Sequence, residues 1–139
     1  MAKDIDSRKI ILLVDDDEMH LAITELALKD DYEVVMVKSG EEALGFLGKN
    51  QIIPELILLD ILMPTMDGWK VFDEIHDIAT LKFTPIMFYT SLDEESAKEK
   101  AYEIGAFDYI TKPCEQSVLL SKIQNTLQKA ESRKQQYDI

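Results

Sequence analysis

The stretch LILLDILMPTMDGW (Leu56–Trp69) opens with four consecutive apolar residues and then places a carboxylate, Asp60, directly behind them. The run does not alternate between apolar and polar, so it reads as a strand buried on both faces, the condition of a strand inside a parallel sheet. Similar runs recur at Ile10–Val14, Glu33–Val37, Pro85–Thr90 and Phe107–Ile110, and the central one extends back to Glu55. Amphipathic stretches follow each of them. EMHLAITELALKD (18–30) carries Leu21, Ile23, Leu26 and Leu28 with Ala22 and Ala27, enough to cover a sheet face. SGEEALGFL (39–47) opens with Ser39 and has Glu42 three residues on, a capping-box signature. DGWKVFDEIHDI (67–78) aligns Val71, Ile75 and Ile78, and DEESAKEKAYEIGA (93–106) aligns Ala97, Ala101 and Ile104 before Gly105, a natural helix stop. Strand then helix, five times over, predicts a doubly wound α/β domain: a five-stranded parallel sheet with right-handed crossovers and five helices on its two faces.

The totals agree with one such domain. The chain has 139 residues, 46% of them apolar and 30% charged, which suits a single core and excludes wholesale disorder. A formal net charge of -12 argues against direct binding to nucleic acid or to an anionic membrane surface. The single cysteine, Cys114, excludes an internal disulfide and a cysteine-cluster metal site. The polar start MAKDIDSRK and the absence of a run near ~20 apolar residues lead us to expect a cytoplasmic protein without a signal peptide or membrane span. The domain core is expected over about residues 9–127 of the single domain 1–139. Residues 128–139 form a helical extension, read either as a frayed polar end of a sheet-packed helix or as the stub of a coiled-coil linker. In the last helix Leu120, Ile123, Leu127, Ala130 and Tyr137 follow a 3-4 spacing that Lys134 interrupts.

In open α/β sheets ligands bind outside the carboxyl ends of the strands. The first strand runs into DDDEMH (Asp15–His20), the third into Asp60, the fourth into Thr90 and Ser91, and the fifth into Lys112-Pro113. Carboxylates about 5 Å apart repel by roughly 3 kcal/mol at an effective dielectric near 20, so such a block must reach water or share a cation. Acids from two strands suit a hard cation, Mg²⁺ or Mn²⁺, and a lysine and a hydroxyl beside it can hold the other oxygens of a phosphoryl group. Asp60 is then the candidate nucleophile. Asp17 reads as a helix cap, His20 and His76 as surface or half-buried histidines, Cys114 as a packing residue, and Trp69 and Phe72 as core or boundary residues.

With ILLVDDDEMH, LILLDILMPTMDGW, PIMFYTS and GAFDYITKP in this order, the chain from Lys9 to Leu127 resembles a two-component response-regulator receiver domain of the chemotaxis-regulator-like kind. The resemblance implies a flavodoxin-like strand order 2-1-3-4-5. It implies that Asp60 accepts a phosphoryl group from a sensor histidine kinase, a phosphotransfer protein or a small phosphodonor. Asp15, Asp16, Asp60 and the backbone carbonyl of Leu62 would hold Mg²⁺, with Mn²⁺ an alternative. Thr90 would be the switch hydroxyl, Lys112 the phosphoryl-oxygen partner with a cis bond to Pro113, and Tyr109 the aromatic that reports the switch. The fourth-helix, fifth-strand, fifth-helix face would then control a partner or output domain, and a homodimer through the fourth-helix face is conceivable on the same grounds. The domain would be no enzyme beyond its own phosphorylation and dephosphorylation. Leu62 and Leu92, two residues past Asp60 and Thr90, are expected to hinder an attacking water and lengthen the phosphoryl lifetime.

Three rivals were weighed. An aspartate-nucleophile phosphatase usually needs a second acid two residues past the nucleophile, where this chain has Leu62. An FMN carrier needs a phosphate-cradling loop after the first strand, where this chain has DDDEMH. A phosphate-independent interaction module would not need Asp16, Asp60, Thr90 and Lys112 together.

Overall fold

The computed structural model describes residues 8–49 and 52–137. The outer ends of the single domain expected over 1–139, with most of the MAKDIDSRK start and the final Asp138-Ile139, lie outside the described residues. Five strands, β1 (Ile10–Val14), β2 (Glu33–Val37), β3 (Leu56–Leu59), β4 (Ile86–Thr90) and β5 (Asp108–Thr111), form one parallel sheet in the order β2-β1-β3-β4-β5. Five helices connect and flank them: α1 (Glu18–Leu28), α2 (Gly40–Lys49), α3 (Gly68–His76), α4 (Glu95–Ile104) and α5 (Gln116–Tyr137). A short 3-10 turn at Ala79–Leu81 follows α3.

The strand bounds differ slightly from those expected. Pro85 has no N–H to give, so β4 begins at Ile86, although the Pro85 carbonyl still accepts from Ile57 N at 3.1 Å. β5 starts one residue later than expected and reaches Thr111, which is paired with Thr90.

Because strand side chains alternate, the central strands feed two cores. Leu12, Val14, Ile57, Leu59 and Phe88 face α2, α3 and α4, with Ala43, Val71, Ile75 and Ala101 as their partners. Ile11, Leu13, Leu56, Leu58 and Met87 face α1 and α5, against Leu21, Leu28, Leu119 and Ile123. Both faces of β1 and β3 are therefore covered.

Local signals behave as the sequence leads one to expect at most helix ends. The Asp17 carboxylate caps α1 by accepting from Met19 N and His20 N. Ser39 Oγ accepts from Glu42 N at 3.0 Å, while the Glu42 carboxylate reaches back to Lys38 N, one residue earlier than the standard box. Gly105 ends α4 with φ 105°, a left-handed conformation that favours glycine.

Two helices depart from their expected faces. In α1 the buried residues are Leu21, Thr24 and Leu28, whereas Ile23 (60% exposed) and Leu26 (65%) point to solvent together with Met19. At 100° per residue, positions 19, 23 and 26 lie opposite positions 21, 24 and 28, so the helix has two apolar rows and only one meets the sheet. Thr24 is buried beside the Tyr89 hydroxyl. In α5 the buried row is Leu119, Ile123, Thr126, Leu127 and Ala130, with Leu120 only partly covered. The helix continues to Tyr137, whose ring lies 5.4 Å from that of Phe83, and Arg133 lies over the Phe107 ring at 4.6 Å.

Candidate functional site: an acidic pocket at the carboxyl edge of the sheet

The strand ladder runs one residue past each central strand and so fixes the rim. Asp15 N donates to Val37 O, Asp60 N to Val14 O and Lys112 N to Thr90 O, at 3.2, 3.0 and 2.8 Å. Each rim side chain thus starts from a backbone position set by hydrogen bonds to the next strand. Gly68, at the start of α3, is what allows the helix to sit against this rim. A Cβ there would lie 2.2 Å from the Asp60 carbonyl oxygen and 2.7 Å from Ile61 Cα.

Asp15, Asp60 and Thr90 are buried and Asp16 is exposed. One carboxylate oxygen from each of Asp15, Asp16 and Asp60 lies within 4.8 Å of the others, a group open to water on the Asp16 side. The Lys112 ammonium bonds Asp15 Oδ2 and stands 3.8 Å from Asp60 Oδ2. Asp15 Oδ1 accepts from Asp17 N, and Asp60 Oδ1 from Ile61 N at 2.8 Å. Three carboxylates against one ammonium leave two negative charges. An all-oxygen set with that surplus fits a divalent hard cation better than a monovalent or thiophilic one.

Burial pushes the Asp60 carboxyl above its ordinary value. The Thr90 hydroxyl and the Lys112 ammonium pull it back, Asp15 pushes it further up, and the Ile61 N–H favours the ionised form. A second positive charge at the rim would offset both the burial and the Asp15 repulsion.

Behind Thr90 the pocket connects to an aromatic chain. Leu92 N donates to Thr90 Oγ at 3.2 Å, and the Tyr109 hydroxyl donates to the Leu92 carbonyl. Tyr109 is buried, its hydroxyl pushed up to about 12 by burial and by the charges of Asp93, Glu94 and Asp60, so it stays a donor at any ordinary pH. Its ring neighbours Phe88, which in turn packs on Trp69 and Phe72. The Lys112-Pro113 bond is cis.

All the side chains singled out from the sequence, namely Asp15, Asp16, Asp60, Thr90, Lys112 and Tyr109, therefore lie at or directly behind one rim. Leu62 follows on the loop with its side chain 53% exposed. Three further residues gain a place that sequence reasoning did not give them. Gly68 has been described. His20 is half-buried, one of the two expected settings, and its Nδ1 is 3.4 Å from Lys112 Nζ and 3.8 Å from Asp15 Oδ2. The available signal was its position in the first turn after the strand-end acids, because helix side chains lean back toward the N-terminus. Cys114 lines, with Met19, Ile23, Tyr89 and Pro113, a mainly apolar groove of about 340 Å³ that runs from the rim along α1.

Comparison with known proteins follows the same lines. The family model described as "Response regulator receiver domain" matches residues 11–124. The chain is 34% identical over 116 residues to the response regulator PleD of Caulobacter vibrioides, covering 83% of this chain and 25% of that protein. It is 35% identical over 124 residues to the alkaline phosphatase synthesis transcriptional regulatory protein PhoP of Bacillus subtilis, covering 88% of this chain and 50% of that one. Among solved structures, a CheY-like response regulator receiver domain protein of Methanospirillum hungatei superposes with a TM-score of 0.82 at 29% identity, over 91% of this chain and 99% of its own. The chain spans between a quarter and about half of the length of the curated relatives it matches.

Proposed function

The chain belongs to the response regulator receiver domain family, and on that premise we propose that Asp60 is its phosphoacceptor. The observation that carries this reading is the buried Asp60 carboxylate held 3.8 Å from Lys112, with oxygens of Asp15 and Asp16 close by. The donor is a phosphohistidine of a sensor histidine kinase or phosphotransfer protein, or a small acyl phosphate. An Asp60 oxygen forms the new O–P bond as the N–P bond of the phosphohistidine breaks, and the electron pair returns to the departing imidazole. Asp15, Asp16, Asp60 and the Leu62 carbonyl are the residues that would hold Mg²⁺, or Mn²⁺ in its place. When bound, the cation offsets the negative charge shared by acceptor and phosphoryl group. Lys112 and the Thr90 hydroxyl take the remaining phosphoryl oxygens. No other substrate is turned over; the domain promotes only its own phosphorylation and dephosphorylation.

The donor's seat is the outward row of α1. Met19, Ile23 and Leu26 are exposed apolar side chains on one helix face beside the groove that opens at Lys112. A helix presenting a phosphohistidine can lay an apolar stripe there and reach Asp60.

The switch is the pair Thr90 and Tyr109. In this reading Thr90 moves toward the phosphoryl group while Tyr109, which is buried and bonds the Leu92 carbonyl, holds the interior position. Phosphorylation favours this arrangement only to the extent that Thr90 binds the phosphoryl group better within it. The readout is the face of α4, β5 and α5, where Tyr102 donates to Asp108 and Lys122 lies 3.6 Å from the same carboxylate. A downstream protein or output domain reads that face.

The test is direct. Acetyl phosphate with Mg²⁺ should add one phosphoryl mass to the native chain and none to Asp60→Asn. An increment that persists in the Asn variant would remove Asp60 from the role. No increment with acetyl phosphate, phosphoramidate or a phosphorylated kinase would leave a phosphate-independent interaction module as the better description.

A further inference from the structure

We propose that His20 is a positioning residue that restrains the Lys112 ammonium on the side of the pocket away from Asp60. The inference rests on the phosphoacceptor reading above and adds a restraint to it. Lys112 Nζ has three neighbours at the rim: Asp15 Oδ2 in direct hydrogen bond, His20 Nδ1 at 3.4 Å and Asp60 Oδ2 at 3.8 Å. The Asp60 distance is beyond a normal hydrogen bond, so the lysine leans toward Asp15 and His20. An ammonium only donates, so the proposed bond requires the acceptor lone pair on Nδ1 and the ring proton on Nε2.

The imidazole is well placed to hold. It stands in the first turn of α1, where the Asp17 carboxylate accepts from the His20 backbone N–H at 3.1 Å. Nδ1 also lies 3.8 Å from Asp15 Oδ2 and 3.9 Å from Asp17 Oδ2, contacts that oppose the bond to Lys112 because they favour a ring proton on Nδ1. A phosphoryl group on Asp60 requires Lys112 to move off this side and onto a phosphoryl oxygen. Asp15 also belongs to the acidic group that would take a divalent cation, so its claim on Lys112 competes with that cation. His20 is not a member of that acidic group. Its bond to Lys112 opposes phosphoryl binding.

The experiment is a titration with fluoroberyllate, a phosphoryl mimic, at saturating Mg²⁺, followed by Trp69 fluorescence. His20→Ala should bind the mimic about tenfold more tightly than the native chain, the low end for losing a hydrogen bond from a charged donor. His20→Asn, whose amide oxygen can stand where Nδ1 stands, should return the affinity to near native. Because His20 is partly exposed, both variants should keep the native melting temperature, which is measured alongside. Unchanged or weaker binding in His20→Ala overturns the proposal. So does an Asn variant that behaves like Ala, since the effect would then be steric. A native chain with no saturable response overturns the phosphoacceptor reading itself and this inference with it, whereas a saturable native response that His20→Ala leaves unaltered overturns the inference alone.

Discussion

Asp60 is under two opposed demands, one from its surroundings and one from its chemistry. Burial and the neighbouring Asp15 raise its pKa, while Thr90, Lys112 and the Ile61 N–H hold it charged and ready. In the folded chain it therefore keeps its proton to higher pH than in the unfolded chain, where the ordinary value of 3.8 applies. Stability falls as pH rises through the window between those two values, and the loss persists at neutral pH. Asp60→Asn removes the charge and should raise the melting temperature at pH 7 in a chelating buffer, with a rise of a few degrees readily measurable in a domain of this size. The difference should shrink as pH falls through the window. A variant less stable than native at pH 7 would mean that the Lys112 and Thr90 contacts outweigh burial. Gly68 makes a steric demand at the same rim. Gly68→Ala puts a methyl into the Asp60 carbonyl and the Ile61 backbone, neither of which can swing aside as a side chain can. A loss of about 1–3 kcal/mol in denaturant unfolding, with reduced phosphoryl uptake, is expected; native-like stability would show that α3 can slide away from the rim.

At the scale of elements, the instructive case is α1. Its sequence has enough apolar residues to cover a sheet face, and the natural assumption is that all of them do. The sheet instead takes Leu21, Thr24 and Leu28 and leaves Met19, Ile23 and Leu26 outside. Composition could not separate the two rows, since the inner one contains a threonine that packs beside Tyr89 of β4. Strands and caps were easier, because LILL, Asp17 and Gly105 act through backbone geometry that local sequence determines. Rim residues were legible for the same reason: strand ends name them. His20 was not, because its contact with Lys112 spans most of the chain and follows from packing. The outer row of α1 gives a prediction that separates docking from chemistry. Ile23→Asp or Leu26→Asp should slow transfer from a phosphorylated kinase or phosphotransfer protein at least tenfold, leaving acetyl phosphate labelling and the melting temperature near native. Equal slowing with both donors would place the defect in the pocket and remove the row from docking.

For the whole molecule, the fold collects negative charge at one edge of a chain that already carries -12. Two electrostatic effects follow, and they have different signatures. Diffuse repulsion over the surface is screened by any salt, because exposed charges interact weakly beyond a Debye length of about 10 Å at 0.1 M. Repulsion among Asp15, Asp16 and Asp60 is local and partly buried, so monovalent salt reaches it poorly while a divalent cation seated among the oxygens relieves it. Adding KCl should therefore raise the melting temperature gradually and without saturation. Mg²⁺ at matched ionic strength should give a further stabilisation that grows with the logarithm of its concentration above the dissociation constant, reaching about 2.7 kcal/mol at one hundred times that constant. Asp16→Asn, which alters the exposed member of the group, should weaken the Mg²⁺-specific component while leaving the KCl response as it was. A chain in which Mg²⁺ and KCl act alike at equal ionic strength, with Asp16→Asn indistinguishable from native, would show that the three carboxylates share water and not a cation, and the phosphoryl chemistry proposed for Asp60 would lose its charge balance.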